Sequence, residues 1–261
     1  MHVIVCVKQV PSVEEVKVDA ETGRILREEL PLMVNPNDRN AIEAALRLRD
    51  EVGGTVTAVS MGPPQAEEAL REAMAMGVNR AVLISDPALA GSDAFVTSKV
   101  LAKAALKLAP FDLIVCGSRS ADGETGIVGV QIAEELNLPQ ITWVLELKVE
   151  GEVVRAKRSI DGGYEIVEAC LPAVVTVTRD ANKPRYPTMR SIVEACRRPI
   201  ERLSLKDLGL SPEEVGFKGS PTRIERVFQA ERKRRATIIS KPVEEAAREV
   251  ALMILRELGK V

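Results

Sequence analysis

Short apolar runs alternate with helical patterns over the first 139 residues of the chain. The runs lie at Val3–Val7, Thr55–Ser60, Ala81–Ile84 and Leu113–Cys116. They are too short for helices and are rich in the branched residues typical of buried strands. The connections between them are too long for hairpins and repeat apolar residues at helical spacing, which indicates parallel strands joined by right-handed crossovers. We therefore predict an α/β fold with a doubly wound, mostly parallel, Rossmann-like sheet.

The pattern changes after Pro139. Three segments alternate apolar and polar residues and are joined by glycine-containing turns, which predicts an antiparallel meander. They are Ile141–Lys148, Glu152–Ser159 and Tyr164–Glu168. Ala173–Thr178 follows as a further buried strand. An excursion over Val16–Leu30 is interpreted as a hairpin.

From Arg179 the pattern becomes irregular and charged. We divide the chain into an α/β core (1–180), an extended arm (181–240) and a C-terminal helix (241–261). A long irregular stretch in a chain of this size is usually functional or wrapped on a partner. The final helix is amphipathic, and its stripe is formed by Val243, Ala247, Val250, Ile254 and Leu258.

Composition excludes several classes of function. The formal net charge is −2 and aromatic residues make up 3% of the chain, which argues against nucleic acid as a partner. Histidine occurs only as His2, which excludes a histidine-based metal site and a Ser-His-Asp triad. The four cysteines form no CxxC pair, and we expect buried free thiols. Any chemistry is therefore expected to reside in a cofactor.

The sequence predicts a cytoplasmic protein. No apolar run reaches membrane-spanning length. The first ten residues lack the basic lead and the cleavage site of a signal peptide and fit a strand better.

The strand, loop and helix predicted over Phe111–Pro139 form a candidate anion site. Gly117 ends the strand, a polar loop follows, and we expect the helix to start at Glu124 or Thr125. Such a turn presents free N–H groups and a positive dipole end to an anion, typically a phosphate. An ordinary strand-to-helix turn has the same pattern. The choice between an anion site and an ordinary turn depends on the residues at the other strand ends.

Three other strand ends carry candidate ligand-binding residues: Lys8, Met61 and Asp86. Because parallel strands of such a sheet end at one edge, we expect these residues and Gly117 to line a nucleotide crevice there. Lys8 either neutralises a phosphate or is a solvated lysine.

Asn35-Pro36-Asn37-Asp38 precedes a helical pattern. Asn37 or Asp38 is a natural N-cap. The same group is also suited to holding the ribose or base of a nucleotide, and the pattern leaves both interpretations open.

Four motifs together resemble the β subunit of electron-transfer flavoproteins, and the resemblance covers nearly the whole chain. They are Val7-Lys8-Gln9-Val10-Pro11; Asn35-Pro36-Asn37-Asp38; the segment 112–129; and Asp161-Gly162-Gly163 followed by Leu171–Thr176 and Pro184–Thr188. Each motif is weak by itself, and their order and spacing make the set specific.

The resemblance implies a heterodimer with an α subunit, which carries a redox-active FAD in a mobile domain. The β subunit holds AMP in the ordinary branch, and a second FAD in the branch that performs flavin-based electron bifurcation with NADH. The implied nucleotide-binding residues, together with Lys8, which we add because it follows the first strand, are Cys6, Lys8, Asn35, Pro36, Asn37, Asp38, Met61, Ser120, Ala121, Asp122, Gly123, Glu124, Thr125, Gly126, Ile127 and Val128.

The loop Ala121–Gly126 is shorter than that of the AMP-only relatives and looks more like the form of the bifurcating and nitrogen-fixation-linked branches. A compact loop leaves room for a pyrophosphate, so we favour FAD over AMP. The implied loop for docking on dehydrogenases is Tyr186–Arg197, with Tyr186, Met189 and Ile192 as contacts and Met189 as the apolar anchor. The C-terminal helix would pack with the partner's flavin domain.

The expected function is electron transfer through flavin, between NADH or dehydrogenases and a quinone- or ferredoxin-linked acceptor. We expect no catalytic side chain, no metal site, no nucleic acid and no membrane insertion. The alternative is a non-redox ATP- or AMP-binding module of the stress-protein type. An adenylating enzyme fits less well, because residues Lys8–Ser12 contain no glycine for a pyrophosphate loop.

Overall fold

A computed structural model describes residues 1–12, 31–222 and 238–259. The chain forms two compact units, Met1–Arg223 and Ile224–Val261. The hairpin predicted over Val16–Leu30 lies outside the described residues.

The first unit is built on a nine-stranded sheet. In chain order the described strands are β1 (His2–Cys6), β2 (Gln9–Pro11), β3 (Leu32–Val34), β4 (Thr55–Met61), β5 (Arg80–Ile84), β6 (Leu113–Gly117), β7 (Gln140–Glu150), β8 (Val153–Ile160), β9 (Gly163–Cys170), β10 (Ala173–Val177) and β11 (Glu201–Leu203). The order across the sheet is β11-β5-β4-β1-β6-β10-β7-β8-β9, and β2 and β3 form a separate antiparallel pair.

The strands from β11 to β7 are parallel, and β8 and β9 complete the antiparallel meander. From β1 the chain first builds outward through β4 and β5 and then returns to place β6 on the other side of β1. The strand order therefore reverses between β1 and β6, and ligands bind outside the carboxyl ends of the strands at such a point.

Helices cover both faces of the sheet. In the first unit the helices are α1 (Pro36–Val52), α2 (Glu67–Met76), α3 (Ala94–Lys107), α4 (Val128–Leu136), α5 (Met189–Arg197) and α6 (Gly216–Gly219). The second unit contains α7 (Val243–Glu257). Val3 and Val5 of β1 point into a core shared with α1 and α2, whereas Ile4 points into a second core shared with α3 and α4. This alternation follows from the strand period of two, and it confirms the predicted doubly wound α/β fold.

Two predicted helix starts differ from the structure. α1 begins at Pro36 with Asn35 as the N-cap, because proline suits the first turn and Asn37 and Asp38 turn their side chains into the interior. α4 begins at Val128 rather than at Glu124 or Thr125. Glu124 and Gly126 have φ values of 49° and 67°, which a right-handed helix does not accommodate. The N-cap of α3 is Asp93, whose side chain accepts from the Val96 N–H at 3.0 Å.

Residues 181–222 are continuous with the sheet and its helices. β11 adds to the edge of the sheet beside β5, a pairing that its three residues do not reveal in the sequence. α5 packs on α2. The division of the chain at residue 180 therefore stays a prediction. It concerns which part of the chain binds a nucleotide and which part contacts a partner.

The second unit contains α7, a 15-residue helix that begins after Pro242. None of its residues is buried, and Val250 and Ile254 of the predicted stripe are 43% and 53% exposed. Among the described residues, no helix is long and apolar enough to cross a membrane.

Candidate functional site

A cleft of about 290 Å³ opens at the carboxyl edge of the sheet, where the strand order reverses. It lies between the ends of β1, β4 and β6 and the first turns of α3 and α4. Its volume is close to the lower end of the range for small-molecule sites. Twelve predicted residues line it: Cys6, Lys8, Asn35, Asp38, Met61, Gly117, Ser120, Gly123, Thr125, Gly126, Ile127 and Val128.

The loop after β6 is held by two asparagines of the α1 start. The side-chain amides of Asn35 and Asn37 both donate to the Arg119 carbonyl, at 2.9 and 2.8 Å. The Asn35 side-chain oxygen accepts from the Ala121 N–H at 3.1 Å. Asn35 and Asn37 are buried, so these bonds form away from competing water. Asn37 does not line the cleft but fixes the loop that does, and its contact with a nucleotide stays a prediction.

Asp38 joins the ends of β1 and β6 from below the cleft. Its carboxylate accepts from the Lys8 N–H at 2.8 Å and from the Gly117 N–H. Burial raises the pKa of Asp38 to about 7, although these bonds and the Lys8 charge favour the ionised form. A Cβ at Gly117 would lie 2.2 Å from Asp38 Oδ1, so only glycine permits this approach.

An ion pair crosses the rim of the cleft. The Lys8 ammonium donates to both carboxylate oxygens of Asp122, at 2.8 and 2.7 Å. Burial acts to raise the pKa of Asp122, but the Lys8 ammonium outweighs it and holds that pKa below its usual range. Asp122 also accepts from the Gly123 N–H at 2.8 Å. Lys8 is therefore a paired cation at the point where the cleft opens.

Two helices point their N-termini at the cleft, and they differ. The side chain of Asp93 already caps α3. No side chain caps α4, which begins at Val128 after Ile127. The first N–H groups of an α-helix have no partner within the helix, and the dipole there favours negative charge. Gly129 allows α4 to pack closely, since a Cβ there would lie 2.6 Å from Thr176 Cγ2. The uncapped N-terminus of α4 is thus available to bind an anion in the cleft.

Cys6 and Cys116 lie at the ends of the neighbouring strands β1 and β6 and line the cleft. The hydrogen bond that the Cys116 thiol donates to the Cys6 sulfur, together with burial, raises the pKa of Cys116 well above its ordinary value. All four cysteines are free, as predicted, but Cys170 and Cys196 are exposed rather than buried. Cys170 lies on the edge strand β9, and Cys196 lies near the end of α5.

Five predicted site residues stay outside the lining of the cleft: Pro36, Asn37, Ala121, Asp122 and Glu124. Glu124 points outward, with its carboxylate 3.9 Å from Arg119 Nη1. Asp86 caps a short turn by accepting from the Ala88 N–H at 3.0 Å and is not part of the cleft.

The sequence interpretation also missed lining residues. These are Val7, Val59, Ser92, Asp93, Ala94, Thr97, Leu101, Cys116, Ser118, Arg119 and Gly129. Ser92 and Asp93 carry the sequence signal of a helix N-cap, and they follow a predicted parallel strand. That position could have identified them as residues of the cleft.

The predicted docking residues lie around the start of α5. The exposed fractions are 95% for Tyr186, 78% for Met189 and 41% for Ile192. The segment before the helix is fixed to α1 by Arg185, whose guanidinium donates to the buried Glu43 carboxylate at 2.8 Å. These apolar side chains are thus exposed on a backbone that is held in place.

His2 has a structural role, as its ring nitrogens lie 2.8 Å from the Pro110 carbonyl and 2.9 Å from Thr57 Oγ1. Within the described ranges, no three histidine, cysteine, aspartate or glutamate residues form a group suited to a metal ion.

The doubly wound sheet, with its cleft at the reversal of strand order, defines an α/β protein with the architecture of adenine-nucleotide-binding folds. Residues 22–208 match the family model described as electron transfer flavoprotein domain. The chain belongs to the electron transfer flavoprotein family, and within it is a β subunit.

Similar proteins match over most of their length. The electron transfer flavoprotein subunit beta of Thermoanaerobacterium thermosaccharolyticum is 42% identical over 247 residues, which cover 94% of this chain and 95% of that protein. The caffeyl-CoA reductase-Etf complex subunit CarD of Acetobacterium woodii is 44% identical, covering 87% of each chain. Protein FixA of Bradyrhizobium diazoefficiens is 40% identical, covering 87% of this chain and 82% of that protein. This family membership decides against the stress-protein and adenylating alternatives.

Proposed function

We propose that this β subunit holds an adenine nucleotide in the cleft between β1 and β6, and that the nucleotide is FAD, with AMP as the alternative occupant. The α4 N-terminus carries the proposal. It opens into the cleft without a side-chain cap, directly after a loop that Asn35 and Asn37 hold in place. That is the arrangement in which helix ends bind phosphate groups.

The residues of this chain would bind and orient the nucleotide. The first amides of α4 and the Lys8 ammonium suit the phosphates, and Met61 and Asp38 line the side of the cleft nearest α1 and β4. A bound flavin supplies hydride and single-electron transfer, which no described side chain of this cleft provides. The chain contributes a rigid frame in which Asp38 joins two strand ends and the asparagines fix the loop.

The proposed assembly is a heterodimer with an electron-transfer flavoprotein α subunit. The stripe on α7 is the proposed contact with the partner's flavin domain, since none of its residues is buried. Tyr186, Met189 and Ile192 form the proposed contact with a dehydrogenase, because they are exposed on a fixed backbone. Electrons would pass through flavin between NADH or dehydrogenases and a quinone- or ferredoxin-linked acceptor.

The compact loop Ala121–Gly126 and the similarity to CarD and FixA support the branch that bifurcates electrons from NADH. In that branch this subunit carries its own FAD. The exposed basic side chain of Arg190 lies beside Met189, so the electron donor is expected to present acidic groups at that contact.

Purification of the heterodimer tests the proposal. Absorbance gives the flavin content, and extraction followed by mass spectrometry identifies each nucleotide. We expect two FAD per heterodimer. One FAD with one AMP would keep the nucleotide site and refute the FAD assignment, and an absence of any nucleotide beyond the α-subunit flavin would refute the site itself.

One variant tests whether the nucleotide binds in this cleft. Asn35→Ala removes the bonds to Arg119 and Ala121, so we expect the heterodimer to lose one nucleotide and keep the other. Arg190→Gln is the matched control, because its ion pair with Glu194 lies on α5. It should leave both nucleotides bound.

A further inference from the structure

Asp122 is paired with Lys8, a lysine that lines the cleft. The Lys8 ammonium has both Asp122 oxygens within 2.8 Å, and Lys8 lines the cleft whereas Asp122 lies at its rim. The two side chains are 48% and 37% exposed, so solutes in the cleft reach the pair. An anion that approaches Lys8 in the cleft therefore meets a cation that already has a carboxylate as its partner.

The loop geometry holds this carboxylate close to Lys8. The Gly123 N–H donates to Asp122 Oδ1 at 2.8 Å, and the Glu124 N–H donates to the Ser120 carbonyl at 2.9 Å. Asn35 fixes the Ala121 N–H immediately before Asp122. Asp122 is therefore positioned by its backbone and does not depend on Lys8 alone for its location.

We infer that Asp122 is a specificity-determining residue, which competes with ligand phosphate for Lys8 and disfavours a doubly charged terminal phosphate relative to a phosphodiester. The inference rests on the proposed nucleotide site. To bind a phosphate, Lys8 must exchange partners or be shared, and Asp122 then repels the phosphate. The repulsion grows with ligand charge.

The charges of the two proposed occupants differ at this point. A terminal monophosphate such as that of AMP carries about −1.5 to −2 at neutral pH, whereas each phosphate of a pyrophosphate diester such as FAD carries about −1. Asp122 therefore weakens AMP binding more than FAD binding. The carboxylate would favour FAD in this cleft without contacting the flavin.

The test is calorimetric titration of the full chain, co-purified with its α subunit and stripped of nucleotide, at low ionic strength. Three probes share the adenosine group and differ in charge: AMP, its phosphate monomethyl ester, and adenosine. For Asp122→Asn we expect AMP to bind about fivefold tighter, the ester about twofold tighter, and adenosine with unchanged affinity. Asparagine keeps the oxygen that accepts from Gly123.

Two further variants isolate the cause. Glu168→Gln removes the same charge from an exposed ion pair outside the cleft, where the carboxylate faces Arg155 at 3.6 Å instead of Lys8, and should leave AMP affinity nearly unchanged. Lys8→Gln should weaken AMP binding, and adding Asp122→Asn to it should give much less gain than in the wild-type background.

The outcomes separate this inference from the proposed function. If the wild-type heterodimer binds AMP and Asp122→Asn leaves the affinity unchanged, lowers it, or changes adenosine equally, the competition is refuted and the site stands. If the wild-type heterodimer binds neither AMP nor adenosine, the proposed site fails and the inference fails with it.

Discussion

At the scale of single residues, Gly117 and Asp38 determine the geometry at the reversal of strand order. The carboxylate binds two backbone amides of different strands, and the glycine leaves the space in which it does so. Both residues act through contacts 79 positions apart in the chain. Each gives a prediction that can be measured on the purified protein.

Gly117→Ala should destabilise the chain by about 1–3 kcal/mol, because the new Cβ would lie 2.2 Å from Asp38 Oδ1 and 2.9 Å from the Asn37 backbone. Urea denaturation measures the change. Gly123→Ala is the control: its Cβ meets only Ser120 Oγ at 3.6 Å, so the same substitution should have little effect. Equal stability of the two variants would contradict the close approach at Gly117.

The raised pKa of Asp38 predicts that the unfolding free energy of the protein depends on pH. Burial raises its pKa from 3.8 to about 7, so between these values the folded chain binds more protons than the unfolded chain. This contribution to stability is fully present below the unfolded pKa and is lost as pH rises through the folded pKa. The unfolding free energy of the wild type should therefore fall relative to Asp38→Asn by on the order of 1 kcal/mol per pH unit across that window. A pH-independent difference between the two proteins would show that the Asp38 carboxyl titrates normally.

At the scale of elements, α5 combines an exposed outer face with a fixed inner face. Met189 and Ile192 are exposed. At the C-terminal end, Arg71 of α2 donates from Nη1 to the carbonyls of Ala195 and Arg198, at 2.7 and 3.0 Å. These carbonyls lie at and just beyond the end of the helix, where backbone acceptors lack helical partners. A docking element of this kind needs little reordering when it binds.

Arg71→Gln should loosen α5 without unfolding the sheet. We expect a loss of about 1–2 kcal/mol in stability and faster amide hydrogen exchange over residues 189–198. Arg190→Gln, which breaks an exposed ion pair on the same helix, is the control and should leave exchange unchanged. If both variants exchange alike, Arg71 does not hold the helix.

At the scale of the whole molecule, the two compact units differ in how many buried apolar side chains they have to stabilise them. The first contains both apolar cores, which together run from Val3 to Val215 in the described chain. The second contains α7, whose 15 residues include none that is buried. An isolated helix of that length is marginal in water. Assembly with a partner is the proposed source of its stability.

A chain ending at Arg223 should therefore still unfold cooperatively, with a melting temperature near that of the full chain, but should no longer co-purify with the α subunit. Circular dichroism and affinity co-purification measure the two properties. The full-length double variant Val250→Asp and Ile254→Asp is the control for α7 itself. Undiminished co-purification of this variant would contradict the proposed role of the stripe.

The amino-acid sequence by itself determined the fold class, the element order and the edge of the sheet where the cleft lies. These depend on local periodicity and on the rule for parallel strand ends, and both are written in consecutive residues. It also identified twelve residues of the cleft.

Only the tertiary structure decided the partners of those residues. It paired Lys8 with Asp122 across 114 positions, joined Arg71 to α5 and placed β11 beside β5. It also turned Asn37 from a helix cap into an anchor for the loop. The physical reason is that hydrogen bonds, ion pairs and burial depend on distances between segments far apart in the chain, which no local pattern specifies.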